Sequence, residues 1–203
     1  MKAKHISGVP GQKEGAFQDT ESHKKFDSPE AAFTNFDILK TRFLSVNEWQ
    51  NYCGKSTAEF KLFDENGQHV NRKPQEGDYI RIDIPGPGDF EAKGFDWVEI
   101  TEMDNNTSEK SCRITCKPSK DPTGQSSKIA HFYSAKTSST FIISIMGHSL
   151  KVGVYLRNEL PNSQTGFLNR VRNFLISLGG NTRFTKIQWK SFTDGMLDFQ
   201  PYL

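Results

Sequence analysis

The sequence is poor in the residues that announce a chemistry. Cysteine occurs three times in 203 residues, as Cys53, Cys112 and Cys116. An odd count at this density excludes a disulfide scaffold. No run approaches the roughly 18 apolar residues that a membrane helix needs. Met1-Lys2-Ala3-Lys4-His5 is followed by no apolar stretch of a secretion signal. The chain therefore reads as soluble and cytoplasmic, with no membrane partner. No block of Lys and Arg interleaves with aromatics, which argues against nucleic acid. Gly86 and Gly88 are followed by neither a Gly-x-x-x-x-Gly-Lys pattern nor a helix start, so they form no phosphate loop. Ser138-Ser139-Thr140 lacks the setting of a nucleophile elbow. There is no internal repeat.

What the chain has in quantity is phenylalanine, 16 residues of it, so the core leans on large aromatic surfaces. The length suits one domain. Residues 1–26 are polar and read as a flexible N-terminal arm, which leaves 27–203 as a single domain. The net charge of +2 is unevenly spread. Residues 75–109 carry ten acids and two bases, and 110–190 carry thirteen bases and two acids. Neighbouring strands would let these charges pair across a sheet. Outward-facing segments would instead favour self-association or a protein partner.

Ser28-Pro29-Glu30 marks a helix start, with Ser28 as N-cap. Phe33, Phe36, Leu39 and Phe43 follow on one helical face. Ser45 and Glu48 have the spacing of a capping box for a short second helix, which Gly54 would end. From Thr57 the period changes to two. Phe60 and Leu62 form a strand that turns at Asn66-Gly67. Tyr79–Ile84, Phe95–Met103, Cys112–Cys116, Ile129–Tyr133, Thr140–Met146 and Leu150–Leu156 read as further strands. A Pro-Gly loop, Pro85-Gly86-Pro87-Gly88, separates two of them and is placed to line a pocket mouth. Phe167, Val171, Phe174, Leu175 and Leu178 then mark a helix closed by Gly179-Gly180. Trp189, Phe192, Met196 and Phe199 mark a last one. Strands in the middle and helices at the ends predict an α+β fold. Its sheet would have about six or seven antiparallel strands, with the C-terminal helices on one face.

The decapeptide Ser-Val-Asn-Glu-Trp-Gln-Asn-Tyr-Cys-Gly at 45–54 sits where START-like helix-grip domains place their short early helices. Over residues 28–199 the order of elements resembles that superfamily. The resemblance implies a curved antiparallel sheet wrapped round a C-terminal helix, with an apolar cavity between. Pro85-Gly86-Pro87-Gly88, Arg157-Asn158-Glu159 and Gln188-Trp189-Lys190 also resemble segments of uncharacterised bacterial hypothetical proteins, which implies no function.

Candidate chemistry is sparse. On a strand, Cys112 and Cys116 stand about 13 Å apart by strand rise, too far for a disulfide and poor geometry for zinc. They read as buried hydrophobes. No metal or cofactor is implied. Among five histidines only His131 falls in an apolar strand-like run. Asp83 and Asp96 flank the Pro-Gly loop and would do acid–base work if they converged. Salt bridges on a solvated face are the plainer reading. No catalytic constellation emerges, and a non-catalytic role is favoured over an enzyme. The leading function is a binding module for a small, largely apolar ligand held between sheet and helix. Phe60, Ile82, Trp97, Phe141, Phe174 and Trp189 would line its cavity, and Arg157 would hold a polar head. The alternative is a structural or interaction subunit of a larger assembly, using the N-terminal arm and the segregated charges.

Overall fold

A computed structural model of the chain describes residues 2–54, 58–83, 95–105, 110–162 and 181–199, with the side chains of the last helix described from Ile187 onward. Helix α1 spans Pro29–Phe43. The Ser28 hydroxyl caps it by accepting the Ala31 N–H at 3.2 Å, and Pro29 occupies the first turn, where it sacrifices no hydrogen bond. Ala32, Phe36, Leu39 and Phe43 form its buried stripe. Phe33 lies off that stripe and is 44% exposed. It takes the Lys110 ammonium over its ring instead.

A 3-10 turn, Val46–Glu48, leads into the short helix α2, Trp49–Cys53. The capping box expected from Ser45 and Glu48 does not form. Ser45 follows α1 so closely that its hydroxyl donates to the orphan carbonyl of Thr41 at 2.8 Å, and Glu48 accepts from the Asn51 amide. Gly54, at φ +94°, ends α2 in a conformation that other residues rarely adopt.

Seven strands form one curved, open, wholly antiparallel sheet among the described residues. They are β1 (Ala16–Lys25), β2 (Glu59–Phe63), β3 (Tyr79–Asp83), β4 (Phe95–Asp104), β5 (Ser111–Pro118), β6 (Ser138–Met146) and β7 (Ser149–Glu159). Their spatial order is β1-β7-β6-β5-β4-β3-β2. The α+β class is as the sequence predicted, but one strand differs in identity. Ile129–Tyr133 makes only isolated bridges, Lys120 with Ile129 and Tyr133 with Pro161. The seventh strand comes from the N-terminus, since residues 16–25 pair with β7 along its length.

That pairing corrects the expectation of an arm over 1–26. β1 turns Gln18, Thr20 and Ser22 inward, so it shows no apolar alternation. Residues before it run along the sheet's outer face. The Lys4 N–H donates to Asp19 at 2.9 Å, and the Asn158 side-chain oxygen accepts the N–H groups of Lys13 and Glu14 at 2.7 and 3.2 Å.

Helix α3, Asn181–Met196, lies across the inner face of the sheet. Midway along it, Gln188 accepts the N–H of Ala58, just before β2, at 3.0 Å. Further along, Thr193 and Asp194 bond Ser22 of β1 at 2.7 and 2.6 Å. The helix thus spans the sheet from one edge strand to the other. It also presses on α2, where a Cβ at Gly195 would collide with the Tyr52 carbonyl. Trp49 is the hub of the core, with ring centroids 5.3, 5.3 and 5.0 Å from Phe60, Phe141 and Phe192. Its indole N–H donates to the Phe43 carbonyl at 3.0 Å. The Pro-Gly loop, the helix expected over 167–178 and its Gly179-Gly180 stop fall outside the described residues.

The unevenly spread charges meet where β4 and β5 pair. Glu99 faces Lys117 in register, and Arg113 reaches Glu102 and Asp104 at 3.9 and 3.7 Å. No helix among the described residues is long and apolar enough to cross a membrane.

Candidate functional site

Strand alternation decides which side chains meet. Phe60 pairs with Ile82, Ile82 with Asp96, and Ile80 with Val98, so all five face inward. Cys116, Ser139 and Leu156 continue one inward row across β5, β6 and β7. Ile114, Phe141 and Val154 form the next. Between this face and α3 remains a cavity of about 60 Å³. Phe60, Ile82, Val98, Phe141 and Leu156 give its floor, and Trp189 and Phe192 of α3 give its roof. Trp189 sits 5.5 Å from the Phe141 ring and 6.5 Å from Phe60.

One end of this apolar space is polar. The start of β4 pairs with the segment around Ala130, whose carbonyl accepts the Trp97 N–H at 2.8 Å. That contact brings His131, Phe132 and Tyr133 beside Asp96. Asp96 is 5% exposed. One of its oxygens accepts the Phe132 N–H at 3.2 Å, and among the described residues the carboxyl has no other hydrogen-bond partner. Burial outweighs that single bond and pushes its pKa up to about 8. The carboxyl is therefore mostly protonated at neutral pH.

His131 is also neutral, for the same reason with the opposite sign. Burial pushes its pKa down to about 3, although its contact with the Tyr133 backbone pulls the other way. Its Nδ1 accepts the Tyr133 N–H at 2.9 Å, so the ring proton belongs on Nε2. Tyr133 hydrogen-bonds Glu159, and burial together with that carboxylate drives its phenol pKa upward. The ring of His131 stacks on Phe132 at 4.6 Å. Asn162 fixes the segment by donating to the carbonyls of Ile129 and His131 at 3.1 and 3.0 Å.

The structure brings together Phe60, Ile82, Phe141 and Trp189 of the residues singled out from the sequence. It does not bring Trp97 or Arg157 to them. Trp97 is buried on the opposite face of the sheet, 4.9 Å from the Phe63 ring. Arg157 lies on that outer face too, ion-paired with Asp19 at 2.6 Å, so it holds no ligand head in this cavity. Phe174 lies outside the described residues. Asp83 and Asp96 occupy opposite faces of the sheet, because Asp83 pairs with Phe95 while Asp96 pairs with Ile82. They share no proton. Tyr133, Cys53 and Val98 were not anticipated. Val98 alone carried a signal, alternating in step with Asp96 and Ile100.

Cys53 and Cys116 belong to the cavity wall, and all three cysteines are free. Burial pushes the Cys53 thiol up to about 12 and Cys112 to about 11, and raises Cys116 as well. Thiolate, the reactive form, is correspondingly rare. At pH 8 the native Cys53 thiol is expected to react with a disulfide reagent about 1,000-fold more slowly, and Cys112 at least about 100-fold more slowly, than the same thiols in denatured protein. Half-buried Cys53 should be modified first. Denatured protein should titrate three. A rapid native burst of one equivalent would place an ionised thiol in the wall and contradict this geometry.

No family model and no curated protein matches the sequence. Solved structures resemble its fold. A hypothetical protein, jhp0584 from Helicobacter pylori, aligns with a TM-score of 0.56 at 8% identity, covering 96% of this chain and 99% of that one. An aromatase/cyclase from Streptomyces sp. R1128 aligns with a TM-score of 0.45 at 7% identity, over 89% of this chain and 94% of that one. A major latex-like protein from Panax ginseng reaches a TM-score of 0.40 at 11% identity, over 85% and 97%. The likeness to the Helicobacter protein shows a shared fold and nothing of function.

Proposed function

We propose that this chain is a cytoplasmic, non-catalytic binding module of helix-grip type that holds one small, largely apolar ligand between its sheet and α3. The observation that carries this reading is the cavity itself, an unfilled apolar space with a single polar end. Close packing is the rule in protein interiors, and retained space with convergent polar groups is the usual form of a ligand site. Its present size suits only a few heavy atoms, since a cavity of about 150 Å³ is what accepts benzene. A larger ligand requires one wall to yield. Trp189 is the wall that can, because it is half-buried and its indole N–H has no acceptor among the described residues. Three free thiols support the cytoplasmic setting. The interaction-subunit reading draws on less. The segregated charges meet across β4 and β5, and residues before β1 are bound along their own sheet.

Native mass spectrometry of protein purified from its own source tests the proposal. One small molecule of low polarity is expected per chain. Cys116→Met places extra side-chain volume in the cavity, and should cut that occupancy about tenfold while leaving a cooperative unfolding transition. Wild-type protein that carries no small molecule, or Cys116→Met protein that keeps full occupancy, would overturn it.

A further inference from the structure

We infer that the cavity selects uncharged ligands bearing one acceptor oxygen, a ketone or similar carbonyl, with Asp96 acting as a hydrogen-bond donor to that oxygen. The inference rests on the ligand-binding reading and names the chemistry of the same site.

Three observations converge on it. The polar groups with spare capacity offer donors, and the Ser139 hydroxyl on the same wall can donate as well as accept. His131 must carry its proton on Nε2, because Nδ1 is occupied as an acceptor by the Tyr133 N–H. Trp189, a donor only, has a buried N–H with no acceptor among the described residues. Asp96 uses one oxygen to accept the Phe132 N–H, and the other is unbonded among the described residues. Secondly, the wall contains no lysine or arginine among the described residues. A carboxylate or phosphate would enter without a counter-charge, at a cost of several kcal/mol. Thirdly, a hydrocarbon would leave the buried donors unmet, and a buried unmet donor costs about 1–3 kcal/mol.

An amine is the competing chemistry, since Asp96 in its ionised form would pair with an ammonium. Forming that pair means desolvating both ions in an apolar space. It would also set the ammonium among the His131 and Trp189 donors, which offer it no acceptor. Around Asp96 the titratable neighbours are His131 and Tyr133 with its partner Glu159. The facing residues of β3, Ile80 and Ile82, are apolar, and α3 contributes Gln188 and Trp189. No cation among these side chains stabilises an ionised Asp96, in keeping with its raised pKa.

The test uses four ring compounds of similar shape: cyclohexanone, methylcyclohexane, cyclohexylamine and cyclohexanecarboxylate. Each is titrated into the full chain at pH 6.5 and followed by calorimetry and by the three tryptophan indole N–H resonances. The Trp189 resonance is assigned by its loss in Trp189→Phe. Cyclohexanone is expected to bind about tenfold more tightly than methylcyclohexane, and at least as much more tightly than either ion. Asp96→Asn keeps both an acceptor for the Phe132 N–H and a donor for the ligand. It should hold the ketone preference within about threefold, and should hold it at pH 9, where the wild type loses it. Asp96→Leu should erase the preference. Equal affinity for ketone and hydrocarbon would overturn the inference while leaving the apolar cavity standing. Tighter binding of the amine or the carboxylate would overturn it in favour of the charged ligand. Binding of none of the four would remove the ligand-binding reading and this inference with it.

Discussion

Wild-type stability is expected to stay level from about pH 4 to pH 6.5 and then to fall as the pH rises toward 8, whereas Asp96→Asn should show no fall. Two buried groups set this profile. The Asp96 carboxyl is raised from 3.8 to about 8 in the fold. Between those values the folded chain keeps a proton that the unfolded chain has released, so stability declines with rising pH. His131 is lowered from 6.5 to about 3. Between those values the unfolded chain holds a proton that the folded chain lacks, so stability climbs with rising pH. Over their shared span the two slopes, each about 1.4 kcal/mol per pH unit, oppose one another. Above 6.5 Asp96 acts alone, and about 2 kcal/mol is lost by pH 8. Glu21 contributes only at the acid end. Burial would raise it, but hydrogen bonds from Lys151, Lys4 and Tyr155 hold it at about 2 instead of 4.5. Its contribution is complete above pH 4.5 and is lost as the pH falls toward 2. Asp96→Asn removes the Asp96 falling limb and leaves that of Asp83, a carboxyl also raised by burial, common to both proteins, so variant and wild type diverge steadily between pH 4 and 8. Urea unfolding across that range measures the difference. Parallel curves would mean that Asp96 is ionised in the fold, and would remove the neutral donor from the cavity.

The same residue shows how much of the site could be read in advance. Phe95-Asp96-Trp97-Val98-Glu99-Ile100 alternates, and the period of two puts Asp96 with Val98 and Ile100 and puts Trp97 with Glu99. Size made Trp97 look like a cavity residue, whereas its phase with Glu99 places it outside. Arg157 follows the same logic, since it shares its phase with Lys151 and lies opposite Leu156. Phe60, Ile82 and Phe141 sit in phase with apolar neighbours, and the structure places them on the inner face. The strand at 16–25 was illegible for a different reason. Its inward residues, Gln18, Thr20 and Ser22, are satisfied by each other and by a polar stripe on α3. A strand whose buried face is polar has no hydrophobic period to find. Ile129–Tyr133 misled in the opposite sense. It is largely apolar, yet it bends at His131 and Phe132, lines the polar end of the cavity and makes only isolated bridges.

Replacing Arg157 with Met is expected to cost about 3–5 kcal/mol of stability and to leave cavity affinity unchanged within about twofold. The guanidinium is 1% exposed. It pairs with Asp19 at 2.6 Å and donates to the carbonyls of Leu156 and Lys4 at 2.9 and 3.0 Å. Methionine fills much of the volume and supplies none of the donors, so Asp19, largely buried, would keep a charge without its counter-ion. Asp19→Asn in the same chain removes that charge, and the double variant should recover a measurable part of the loss. A cycle of the two single variants and the double gives the coupling directly. Release of the Lys4 carbonyl should also speed proteolysis before β1 relative to the rest of the chain. Cyclohexanone affinity, measured on the folded fraction, should not follow the stability, because the sheet separates Arg157 from the cavity. A fall in affinity parallel to the loss of stability would show that the two faces of the sheet are coupled, and would return Arg157 to the binding site.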